Sequence, residues 1–223
     1  MKAKDKRKLR LPSVLSGENH VVWRRILMHY VKVIGNYPVK VLDLTAGERR
    51  MWKSIDINAT TLDGIRMMDV TFLDIRPFKY AIRCDYRKLP LKHNQYDIVV
   101  FDPPYTDILG FDEVRRKFGD LRLKFSEIYN LRTGKLEKRD INIVSYEVSR
   151  VIKPNGYYII KIQDLKDNWH YEFYERMSKM NLYDYIGVVI QVLPSTWHLY
   201  VNDETYYKPQ NMHTYWMIWR RKT

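Results

Sequence analysis

The tetrapeptide Asp102-Pro103-Pro104-Tyr105 follows directly on the apolar run Tyr96 to Phe101 and concentrates the chemistry of the chain in one turn. Two successive prolines fix φ twice and remove two backbone donors, which leaves rigid carbonyls beside a carboxylate and an aromatic ring. Such a set suits methylation of an exocyclic amine on a planar base. That amine is a poor nucleophile, because its lone pair is delocalised into the ring. Hydrogen bonds from its N–H groups to the Asp102 side chain and the Pro103 carbonyl would localise the pair, and Tyr105 would stack on the base. A rigid turn after a strand is the plainer account of Pro-Pro; the preceding apolar run and an upstream glycine turn weigh against it.

The other strand ends supply the remaining candidates, since ligands of open α/β sheets bind beyond the carboxyl ends of the strands. A first apolar strand runs from Val39 and ends Asp43-Leu44-Thr45-Ala46-Gly47. Its glycine lets the backbone approach a ligand at the start of a following helix. A second strand, Val70 to Leu73, ends at Asp74, where a carboxylate can accept hydrogen bonds from a ribose diol; Asp69 competes for that role. A third region ends Arg83-Cys84-Asp85. Taken singly, a strand-end Asp is more often a cap or turn former. It is the order of the four ends along the chain that makes a site of them.

The elements that must position these residues are legible in the hydrophobic pattern. Trp23, Ile26, Leu27, Tyr30, Val31 and Ile34 predict an amphipathic helix over 20–34, stopped by Gly35-Asn36-Tyr37-Pro38. Glu48 to Ser54 is expected to open a helix, and Tyr80-Ala81-Ile82 to form a strand. Residues 106–140 are charged and weakly periodic and read as an excursion from the core. Beyond them the pattern predicts a helix over Ile141 to Ile152, a strand Tyr157 to Ile162, a helix Trp169 to Met180, and strands at Tyr185–Val192 and Thr214–Trp219. The last two strands have no helix between them. The expected fold is therefore a mostly parallel α/β sheet with an antiparallel hairpin at its C-terminal edge. The division expected is a basic flexible arm over 1–15 and a single domain over 16–223.

Composition bounds the function. A chain of 223 residues that is 45% hydrophobic fills a core, which excludes wholesale disorder. No run approaches the ~18 apolar residues of a membrane span, and no apolar segment follows the basic start, so a soluble cytoplasmic protein is expected. The one cysteine, Cys84, excludes an internal disulfide framework. His20, His29, His93, His170, His198 and His213 are scattered without ligand spacing, so no metal is expected. Lys and Arg number 39 against 26 Asp and Glu, a net charge of +13. The excess gathers in residues 1–10, in 111–140 and in Arg220-Arg221-Lys222. A surplus so placed favours a polyanionic partner, nucleic acid above all, through counterion release.

Together these segments resemble the class I S-adenosylmethionine-dependent methyltransferases, and among them the amino-methyltransferases that modify DNA at adenine N6 or cytosine N4. The resemblance is carried by Val41 to Gly47, Asp85-Tyr86-Arg87-Lys88-Leu89-Pro90, Tyr96 to Tyr105, Gly156 to Asp164, and His213 to Trp219. The last of these resembles the closing edge strand of small viral and archaeal members. The resemblance implies a Rossmann-like sheet and S-adenosylmethionine as cofactor, without a metal. It places Asp43, Thr45, Ala46 and Gly47 along the cofactor's methionine side, Asp74 at its ribose and Asp85 near its adenine. Asp102 adjoins both cofactor and target, and Asp102, Pro103, Pro104 and Tyr105 form the catalytic turn. Family members often carry a second glycine two residues after the first; here Arg49 stands there.

The substrate expected is DNA in preference to RNA, adenine N6 before cytosine N4. Only 59 residues separate Asp43 from Asp102, so target reading falls to 106–140, to the connection around Pro194–Gln210 or to the N-terminal arm. Trp197, Tyr200, Tyr206 and Tyr207 in that connection could stack on an extruded base. Ordinary packing of an edge hairpin is the slightly favoured account of them. The alternatives are an RNA guanine-N2 methyltransferase, a nucleic-acid-binding protein with a decayed methyltransferase fold, and methylation of a small molecule or protein. Small size makes a homodimer plausible.

Overall fold

Val99 and Phe101 alternate with Ile98 and Val100, and all four are fully buried, so this strand is covered on both faces. That alternation organises the molecule. In the computed structural model, which describes residues 10–103, 138–163, 168–192 and 214–223, an eight-stranded sheet carries helices on both sides. The elements are β1 (Val14–Ser16), α1 (Asn19–Ile34), β2 (Val39–Asp43), β3 (Met68–Asp74), β4 (Ile82–Arg83) and β5 (Tyr96–Phe101). They continue with α2 (Lys138–Val151), β6 (Ile152–Gln163), α3 (Trp169–Met180), β7 (Tyr183–Val192) and β8 (Thr214–Arg221).

The strand order is β1-β7-β8-β6-β5-β2-β3-β4, with β8 antiparallel to both neighbours and every other pair parallel. After β1 at the far edge and α1, the chain lays down β2, works outward to β4, then returns to lay β5 on the other side of β2. The crevice between β2 and β5 is the switch point at which such sheets hold ligands.

One apolar core lies beneath α1, where Val22, Trp23, Ile26, Leu27 and Val31 meet Val41, Ile98, Val100 and Trp216. The other lies beneath α2 and α3, where Ile141, Val144, Val148, Phe173 and Met177 meet Leu42, Val99, Phe101, Tyr158 and Ile160. Gly156 lets β6 close on its neighbours: a Cβ there would stand 2.9 Å from the Lys153 carbonyl oxygen and 3.0 Å from that of Asp97. Among the described residues no helix is long and apolar enough to cross a membrane.

The mostly parallel sheet and its β7–β8 hairpin are as the pattern predicts, and α3 has its predicted limits. Two details differ. Glu48 to Ser54 forms only a single 3-10 turn, Arg50–Trp52, because Gly47 and Arg49 both take left-handed φ, 54° and 55°, which α-helix geometry does not accept. From β2 to β5 the chain therefore contains no α-helix, where the pattern predicted one after β2. The final strand is not the border of the sheet: β8 sits between β6 and β7, and β1 pairs outside β7. Trp216, Met217, Ile218 and Trp219 are all buried, as a strand covered on both faces requires.

Val14 and Leu15, expected within the arm, belong to β1; residues 1–9 lie outside the described residues. So do Pro104 and Tyr105, most of the basic excursion, and the connection holding Trp197, Tyr200, Tyr206 and Tyr207.

Candidate functional site

Three carboxylates stand at the ends of three adjacent strands: Asp43 on β2, Asp74 on β3 and Asp102 just beyond β5. Asp43 is 1% exposed, and burial pushes its pKa up to about 7. Hydrogen bonds from the Trp52 indole at 2.6 Å and the Thr45 N–H at 3.0 Å oppose that rise, while the charges of Asp102 and Asp74 add to it. Trp52 reaches Asp43 because the short turn folds its ring into the core, edge-on to Trp23 and Phe72 at 5.6 and 5.2 Å. Nothing local in the sequence pairs this tryptophan with the strand end.

The turn Thr45-Ala46-Gly47 is anchored through its own amides. The Thr45 N–H donates to Asp43 Oδ1, the Ala46 N–H to the Leu73 carbonyl at 2.9 Å, and the Gly47 N–H to Asp74 Oδ2 at 2.9 Å. Arg49 stands where a second glycine was expected, with its guanidinium 4.2 Å from the Tyr80 ring centroid and 5.4 Å from that of Phe72. The Tyr80 hydroxyl donates to the Gly47 carbonyl. Tyr80 was expected in a strand; it is instead the roof of this turn, and β4 begins two residues later.

Asp74, 4% exposed, is saturated. Its Oδ1 accepts from the Arg76 N–H at 2.8 Å and Nε at 3.0 Å, and its Oδ2 from Gly47 N–H and, at 3.3 Å, Arg76 Nη2. A carboxylate offers about four lone-pair sites, and all four are taken. In this arrangement Asp74 can receive a diol only by releasing Arg76. Asp69, the competitor, pairs in register with Lys40 at the amino-terminal end of the β2–β3 ladder, away from the carboxyl ends of the strands.

Asp85 lies just past β4, its side chain about one-third exposed and forked by Arg87 at 2.6 Å. Burial alone would raise its pKa, but the hydrogen bonds from Arg87 outweigh it and hold the group below the usual range. The thiol of Cys84 beside it is pushed up to about 11, by burial first and then by Asp85 and Asp74.

Asp102 is held from two sides. Its N–H donates to Thr45 Oγ1 at 3.0 Å, which ties β5 to β2, and its Oδ2 accepts from Lys161 Nζ of β6 at 2.8 Å. Among the described residues its Oδ1 accepts no hydrogen bond, and a quarter of the side chain is exposed. Pro103 is buried. The structure thus brings Asp43, Thr45, Gly47, Asp74 and Asp102 together at the carboxyl ends of β2, β3 and β5, with Asp85 farther out past β4. Lys161, Trp52, Arg76 and Tyr80 are the participants that sequence reasoning missed. Only Lys161 carried a signal, as a lone lysine inside the apolar run Tyr157 to Ile162. No group of three or more His, Cys, Asp or Glu side chains arranged to hold a metal ion occurs among the described residues.

No protein-family model and no curated protein matches the sequence. Solved structures do. A 1,6-didemethyltoxoflavin N1-methyltransferase of Burkholderia thailandensis is 11% identical, with a TM-score of 0.50 over 90% of this chain and 78% of that one. A Listeria monocytogenes protein provisionally named a class I S-adenosylmethionine-dependent methyltransferase is 16% identical, with a TM-score of 0.50 over 92% of this chain and 59% of that one. A Thermus thermophilus protein provisionally named a DNA modification methylase is 17% identical, and the chain spans about half of its length, 52%, at a TM-score of 0.40. At these identities the likeness concerns the fold: the chain has the Rossmann-like α/β sheet of class I S-adenosylmethionine-dependent methyltransferases.

Proposed function

We propose that the protein transfers a methyl group from S-adenosylmethionine to an exocyclic amine of a nucleobase, adenine N6 or cytosine N4 in DNA. The observation that carries this reading is Asp102, held at the β2–β5 switch point with Oδ2 paired to Lys161 and, among the described residues, Oδ1 accepting no hydrogen bond. Asp43, the carboxylate without a cationic partner among the described residues, is raised further by the charges of Asp102 and Asp74, and a cationic ligand, as a sulfonium with an ammonium group is, would relieve that repulsion. The residue types therefore fit the cofactor, with Asp43 and the Gly47 turn on its methionine side and Asp85 toward its adenine. Asp74 fits once Arg76 yields its place to a ribose diol.

When bound, S-adenosylmethionine supplies an electrophilic methyl, which a nitrogen lone pair takes while the C–S electron pair returns to sulfur. The chain's own part is positioning. Asp102 Oδ1 and the Pro103 carbonyl accept the two amine N–H groups, which draws the nitrogen lone pair out of conjugation. Asp102 Oδ1 also lies at hand for the proton that the alkylated nitrogen sheds. Tyr105 supplies the stacking face. The net charge of +13 supports a nucleic-acid substrate over a small neutral one.

The test is nucleoside mass spectrometry after incubation with labelled S-adenosylmethionine and duplex DNA, single-stranded DNA and structured RNA. N6-methyladenine or N4-methylcytosine in DNA is the expected product. N2-methylguanosine in RNA would transfer the same site to the other amine. Asp102→Ala is expected to abolish transfer while leaving cofactor affinity within about twofold; a fully active variant would overturn the role of Asp102.

A further inference from the structure

A lysine in the middle of an apolar strand needs a reason to be there. Lys161 is 8% exposed, and in β6 its neighbours from Tyr158 to Ile162 are buried and otherwise apolar but for the Tyr158 hydroxyl. Taking an ammonium out of water costs several kcal/mol unless it is paired in good geometry. Its pairing is specific. The β5–β6 register sets Ile160 beside Phe101, so the next residues, Lys161 and Asp102, emerge side by side where β5 ends. Nζ donates to Asp102 Oδ2 at 2.8 Å. Trp216, opposite Lys161 in the antiparallel β6–β8 ladder, places its ring centroid 5.9 Å from the same nitrogen.

Resting on the function proposed above, we infer that Lys161 is a positioning residue for methyl transfer. Thr45 fixes the backbone of Asp102 and Lys161 fixes its carboxylate. With Oδ2 engaged, one oxygen is presented to the amine and the carboxyl torsion cannot turn away. Lys161 touches no reacting atom in this account; it acts through Asp102. A role confined to fold stability makes a different prediction. Asp102 is a quarter exposed, so water can solvate the carboxylate if its partner is lost, and a long apolar side chain can take over the packing against Trp216.

The experiment uses the full chain with Lys161→Met and Lys161→Arg, with circular dichroism as the check of folding. Cofactor affinity is read by calorimetry with S-adenosylhomocysteine, and kcat and KM are read on the nucleic acid that the wild-type protein methylates. Lys161→Met is expected to bind S-adenosylhomocysteine within about twofold of wild type and to keep KM, while kcat falls about 100-fold, the order that misplacement of a reacting group produces. Lys161→Arg, which keeps a cationic donor for Oδ2, is expected to recover about tenfold of that loss. Should Lys161→Met not fold, Lys161→Gln, a shorter neutral donor, is read by the same criteria. A folded Lys161→Met with wild-type kcat overturns the inference and leaves the function standing. A loss confined to cofactor affinity or to KM also overturns it. Wild-type protein that binds S-adenosylhomocysteine but methylates no nucleic acid overturns the proposed function, and the inference with it.

Discussion

Asp43 makes the stability of this protein depend on pH in an unusual direction. Its carboxyl titrates near 7 in the folded chain against 3.8 ordinarily, because burial outweighs the hydrogen bonds from Trp52 and Thr45. Between those values the folded state binds a proton that the unfolded state has lost. Stability from this group is therefore full below 3.8, falls as pH rises, and is gone above about 7. Between pH 5 and pH 9 the unfolded group stays ionised, while the folded one passes from almost wholly protonated to almost wholly ionised. Each pH unit below the folded pKa is worth about 1.36 kcal/mol, so the loss across this window is about 3 kcal/mol. For a chain of this size that is about 5–11 °C in Tm.

Asp43→Asn is the matched control, since an amide reproduces the charge and shape of the protonated acid. The assay is urea unfolding of both proteins from pH 5 to pH 9, read as the difference between the two stability curves. His29, whose pKa is lowered by burial, titrates toward higher stability with rising pH in part of this window, and it cancels in the difference. The wild type is expected to lose about 2–3 kcal/mol relative to Asp43→Asn as pH rises. Parallel curves across the window would refute the assignment of a buried, proton-binding carboxyl at this strand end.

Two further outcomes follow from distances in the sheet. Gly156→Ala puts a Cβ 2.7 Å from Ile152 Cγ1 and against two backbone carbonyl oxygens that cannot swing aside, so a loss of about 1–3 kcal/mol in urea unfolding is expected; unchanged stability would show that β6 shifts freely. Arg76→Met vacates two of the four lone-pair sites of Asp74, so the folded protein is expected to melt lower yet bind S-adenosylhomocysteine at least about threefold more tightly. Weaker binding by calorimetry would mean that Arg76 itself holds the ligand.

Most of the strands and the residues at their ends were legible from the sequence alone, because burial writes itself locally. Ile98 to Phe101 is apolar at every position and so must be covered on both faces, and Trp169 to Met180 carries a helical stripe that α3 follows from end to end. Acidic residues after such runs stand at the carboxyl edge of an α/β sheet, the edge at which such sheets bind ligands. The partners were another matter. Asp102 and Lys161 are 59 residues apart and meet only because β6 lies beside β5, and Thr45 reaches Asp102 across 57 residues. The inward turn of Trp52, whose indole satisfies a buried carboxylate nine residues back, depends on the left-handed backbone at Gly47 and Arg49 and not on any periodicity. Asp74 looks in sequence like an acceptor waiting for a ribose; in the fold, Arg76 and the Gly47 amide have filled it. Periodicity reports which face of an element is dry, a property of neighbouring residues. Which polar groups satisfy one another depends on strand order and register, and those exist only once the sheet has formed.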